Sequence, residues 1–103
     1  MKKREMLKVL SDLISRYLIS TIDKSEMVEQ LIGKISPSDV TEYEDELLNE
    51  SFFTIYHINE NYCDASNPEL LYLRECLEER HKFSRVERDS IISENKKGFK
   101  TDL

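Results

Sequence analysis

Glycine and proline are scarce in this chain, with two of each in 103 residues, and there is no tryptophan. So few turn-forming residues exclude a sandwich or barrel of many short strands and favour long helices joined by short loops. Two glycines also cannot build a phosphate-cradling loop, a dinucleotide turn or a nucleophile elbow. No apolar run approaches the roughly 20 residues that a membrane helix needs. The basic start Met1-Lys2-Lys3-Arg4 is not followed by an apolar stretch, because Glu5, Lys8, Asp12 and Arg16 interrupt it. A secretory signal is therefore not expected, and the expected location is the cytosol, away from any membrane. Cys63 and Cys76, 13 residues apart, then read as free core thiols. No cofactor is expected. The two histidines, His57 and His81, stand at no spacing that supports acid–base chemistry. With the cysteines they do not form the close ligand pairs of a zinc site. Catalysis is not expected.

What is present is helical periodicity. Met6, Leu7, Leu10, Leu13, Ile14, Tyr17 and Leu18 recur at three- and four-residue steps and predict a first helix over about 3–21. Asp23 and Glu26 have the spacing of a capping box ahead of a helix that turns Met27, Val28, Leu31, Ile32 and Ile35 inward. Gly33 either ends that helix or weakens its last turn. Ser36 is a candidate cap and Pro37 suits the first helical position. The pattern then runs to about Tyr62, interrupted near Glu44-Asp45-Glu46, with Leu47, Leu48, Phe52, Ile55 and Ile58 on one face. Asn67-Pro68-Glu69 opens a helix bearing Leu70, Leu73, Cys76 and Leu77. Ser84 and Glu87 form another capping box before a short helix with Val86, Ile91 and Ile92. The expected architecture is all-α, a single-domain bundle of four to five helices over 1–95, with 96–103 an aperiodic, flexible tail.

The most unusual absence is of positive charge in the middle of the chain. Residues 1–35 carry seven basic and five acidic side chains, and residues 80–103 seven and four. Residues 36–79 carry Arg74 alone against twelve acidic residues, a local net charge of −11 in a chain of net −6. Helix chemistry accounts for Asp39 and Glu69 at helix starts but not for the missing lysines. A negative surface of this kind accelerates encounter with a basic partner and repels nucleic acid. The candidate partner-binding residues are Glu42, Glu44, Asp45, Glu46, Glu50, Glu60 and Asp64, with Tyr56 and Tyr62 as aromatic anchors. Arg80, Lys82, Arg85 and Arg88 form a small basic patch. It either pairs with the acidic region or, as a less favoured alternative, serves a nucleic-acid-binding helix.

The stretch Leu47-Leu48-Asn49-Glu50-Ser51-Phe52-Phe53-Thr54-Ile55-Tyr56-His57-Ile58, followed by Pro68-Glu69-Leu70-Leu71-Tyr72-Leu73-Arg74-Glu75-Cys76-Leu77, resembles small bacterial immunity proteins. These are the inhibitors that accompany contact-dependent growth inhibition and other polymorphic toxins. The resemblance spans about residues 45–92 and lies in size, acidity, helical habit and a pair of hydrophobic helices; no binding motif carries over residue by residue. It implies a one-to-one complex with a cognate toxin domain, often a basic nuclease, whose substrate groove is occluded. The rival expectation is a small helical regulator or adaptor that grips its partner through an apolar groove.

Overall fold

The computed structural model describes residues 2–60 and 65–101. Among them there are six helices and no strand: α1 (Lys3–Leu18), α2 (Lys24–Lys34), α3 (Pro37–Glu42), α4 (Glu46–Tyr56), α5 (Asn67–Leu77) and α6 (Arg85–Thr101). The class is all-α as expected, with more helices than the four to five anticipated. The additional one arises at Tyr43–Asp45. There Glu44 adopts a left-handed backbone (φ 49°), and the Asp45 carboxylate accepts the Leu48 amide at 2.9 Å, starting a fresh helix.

Helix α1 is the organising element. It packs on α5 and α2 and also touches α4, and it buries Met6, Leu10, Leu13 and Ile14 completely. Met27 and Leu31 of α2, Val40 of α3, Leu48, Phe52 and Ile55 of α4, and Leu70, Leu73 and Leu77 of α5 complete one continuous core. Ile58 joins it from a turn, because α4 stops at Tyr56 instead of continuing to Tyr62. Ile32 does not join it; this side chain is 55% exposed, on the outer face of α2. Cys76 is a free, buried thiol whose pKa burial pushes up. Cys63 lies outside the described residues.

Caps follow the sequence in part. Asp23 and Glu26 form the complete reciprocal box. Ser36 makes no capping bond with its side chain; its hydroxyl meets that of Ser38 at 2.9 Å. Helix α5 is capped one residue before Asn67, by Ser66, which accepts the Glu69 amide at 3.3 Å. Three helices end on a non-glycine residue with positive φ: Ser20 after α1, Glu44 after α3 and Glu79 after α5. At Ser20 and Glu79 the next amide reaches back to a carbonyl of the last turn, Thr21 to Arg16 at 2.8 Å and Arg80 to Glu75 at 2.9 Å. This is the Schellman closure that usually employs glycine.

Gly33 does not end α2; it sits inside it, and an added Cβ there would meet nothing within 4 Å. Gly33→Ala is therefore expected to raise stability by about 0.5–1 kcal/mol, through a smaller loss of backbone entropy on folding. A thermal melt that shows no gain would count against an unstrained helical conformation at this position.

Helix α6 is 17 residues long and passes through the segment after Asn95 for which the sequence predicts no regular structure. The expectation of an aperiodic tail rested on apolar periodicity alone. Lysine is a good helix former, and a helix propensity of that kind leaves no apolar pattern to read in a sequence.

Candidate acidic interface

The turn between α3 and α4 brings together four of the carboxylates picked out in the sequence. Glu44, Asp45, Glu46 and Glu50, with Thr41 and Asn49, line an open concavity of about 360 Å³. Glu46 and Glu50 share a face of α4 because they are four residues apart. Asp45 is fixed by its capping role, and Asn49 donates back to its carbonyl at 2.8 Å. Glu42 is exposed on the last residue of α3, beside the concavity.

Tyr56 and Glu60 lie elsewhere. Tyr56 is at the far end of α4, about 15 Å along the axis from Glu46 at 1.5 Å per residue. It is half-buried, stacked on Phe52 with ring centres 5.8 Å apart and edge-on to His57. Glu60 follows that end and meets His57 Nδ1 at 3.0 Å. Tyr62 and Asp64 lie outside the described residues. Among the described residues, the candidates from 42 to 60 thus do not share one face.

Much of the acidity is also answered from within. A guanidinium, that of Arg85, lines the concavity, with Nε 3.4 Å from Glu46 and Nη2 bonded to Glu50. Glu50 uses its second oxygen on Arg88 Nη1. Arg88 goes on to Glu69 through Nε at 3.1 Å and to the Thr54 hydroxyl through Nη2 at 3.0 Å, so every nitrogen of its guanidinium is engaged. The side chains of Arg88 and Glu69 are only 14% and 7% exposed. Lys3 Nζ lies 3.1 Å from Asp45. Three of the four basic-patch residues, Arg80, Arg85 and Arg88, are thus paired internally, Arg80 with Glu78 at 3.4 Å, and nearby His81 Nε2 lies 2.8 Å from Glu87.

Lys3, Thr54 and Glu69 also belong to this network, and their parts in it are not legible in the sequence. A signal for its centre existed: Arg85 and Arg88 repeat at a helical spacing that matches Glu46 and Glu50. Counting net charge by segment hid that match, since it weighs each stretch separately from those that fold against it.

Nearby groups titrate as their surroundings dictate. For Asp45, burial works to raise the carboxyl pKa, but the Leu48 amide and Lys3 together outweigh it and hold the value below the usual 3.8. A lowered folded-state pKa stabilises the fold above the unfolded value and loses that effect as pH falls through the folded one. Asp45→Ala should thus cost about 1–2 kcal/mol at neutral pH, mostly as a lost cap. The difference from the parent protein should narrow progressively in urea melts as pH falls from 3.8; a gap that does not narrow would show that the charge is not what matters. The Tyr72 hydroxyl, pushed up to about 12 chiefly by burial, accepts the Ser84 amide at 2.8 Å. It therefore occupies the donor that Glu87 would take in a full capping box.

Among the described residues no group of three or more metal-ligating side chains comes together, and no helix is long and apolar enough to cross a membrane. Compared with protein-family models, with characterised proteins and with solved structures, the chain gives no match.

Proposed function

We propose that this chain is a protein-binding domain that neutralises a basic partner, as an immunity protein of the cytosol neutralises a toxin nuclease. The observation that supports the reading is the concavity at the α3–α4 turn, where carboxylates converge on a guanidinium. A surface that seats Arg85 in this way presents the geometry that an arginine or lysine from another protein would use. The interface is narrower than the sequence suggested. Glu42, Glu44 and the exposed part of Glu46 carry the outward field. Asp45 and Glu50 hold the site in shape, and Tyr56 and Glu60 lie outside it. No catalytic step belongs to this proposal, which is binding and occlusion.

The test is to isolate the partner that co-purifies with the tagged chain and to follow association against ionic strength. The expected result is a basic protein, bound one to one, whose association slows steeply as salt rises and whose nuclease activity disappears in the complex. Salt-independent association would instead favour the adaptor reading. A specific feature favours that alternative: an apolar concavity of about 530 Å³ between α5 and α6, lined by Pro68, Leu71, Tyr72 and Ile91 with Glu75 and Glu94 at its rim.

A further inference from the structure

Helix α6 is attached differently from the other five. Every one of α1 to α5 contributes side chains to the buried core, whereas no described α6 side chain belongs to it. Val86 is 76% exposed, and Ile91 faces the gap of about 530 Å³ between α5 and α6. The contacts that tie down the described side chains of α6 are mainly polar. Arg85 reaches Glu46 and Glu50, Arg88 reaches Glu50, Glu69 and Thr54, and Tyr72 and His81 pin the helix start through Ser84 and Glu87.

We propose that α6 is a charge-held strap, which lifts from α4 and α5 while the five-helix body stays folded. Three physical points support detachment over joint unfolding. No described side chain of α6 belongs to the buried core, so that core stays closed when α6 leaves. Arg88 lies on α6 itself and returns to water with it, so its guanidinium is not left buried without a partner. The left-handed Glu79 and the non-helical segment up to Ser84 place a pivot next to the pinned end. Lifting also withdraws Arg85 from the acidic concavity, freeing Glu46 and Glu50. That consequence for partner binding rests on the functional reading above; detachment itself does not.

Hydrogen exchange read by mass spectrometry on the full chain tests this without any partner. In the double variant Arg85→Ala/Arg88→Ala, α6 amides beyond its first turn are expected to exchange about 10- to 100-fold faster, with α1 and α5 protected as before. In the unaltered protein, raising NaCl from about 0.05 M to about 1 M should speed exchange in α6 and not in α1. Three results would overturn the strap: α6 exchange unchanged in the variant, protection lost together in α6 and α1, or a variant that does not fold. A salt series that leaves α6 unmoved would overturn it as well. Failure of these measurements leaves the salt-dependent partner assay standing, and the reverse also holds.

Discussion

Replacing Phe52 by alanine is expected to destabilise the fold by about 3–5 kcal/mol, the range for removing a fully buried aromatic ring. Phe52 is completely buried at the middle of α4, edge-on to Phe53 with ring centres 5.0 Å apart and stacked on Tyr56. It belongs to the continuous core built by α1 to α5, where close packing restricts collapse into the cavity. Against a typical total stability of about 5–15 kcal/mol, such a loss leaves a marginal protein. In a chain of this size it corresponds to a fall of roughly 15–30 °C in Tm. Urea and thermal melts measure it. A loss under about 1 kcal/mol would mean that α4 does not sit in the centre of the core.

The second large effect concerns binding alone. Glu42→Lys/Glu44→Lys/Glu46→Lys changes six units of charge at the rim of the α3–α4 concavity and leaves Glu50 to hold Arg85 and Arg88. All three positions are exposed, so each change is expected to move stability by no more than about 0.5 kcal/mol. Association with the basic partner should slow by about 10- to 1000-fold at low salt, because steering depends on the sum of these charges. Stopped-flow association rates at several ionic strengths show both the slower encounter and the flatter salt slope. Rates equal to those of the parent protein, with partner binding intact, would remove the acidic interface from consideration.

The parts of this fold that could be read in the sequence are those fixed over short range. The stripe from Met6 to Leu18, the box of Asp23 and Glu26, and the buried set Leu70, Leu73, Cys76 and Leu77 each follow from residues within two turns of one another. The misjudged parts depended on what folds against what. Ile32 has the spacing of a core residue but faces outward, because α1 and α4 cover the other side of α2. The length of α6 left no apolar trace. The carboxylates around Glu50 looked unbalanced in a stretch with one basic residue, yet their counterions arrive from 35 to 42 residues away along the chain. The turn that gathers Glu44, Asp45 and Glu46 was anticipated as an interruption; that it would form a concavity was not.

Ser20, Glu44 and Glu79 bring helices to a halt in a conformation that costs an ordinary residue about 1–2 kcal/mol. Nothing local compels those halts, since the residue that makes them easy is absent at all three places. The endpoints of α1, α3 and α5 are therefore decisions taken by the assembled molecule. As separate peptides these stretches would have no reason to stop where they do, so the shape of the acidic turn comes into being only once the body around it has formed.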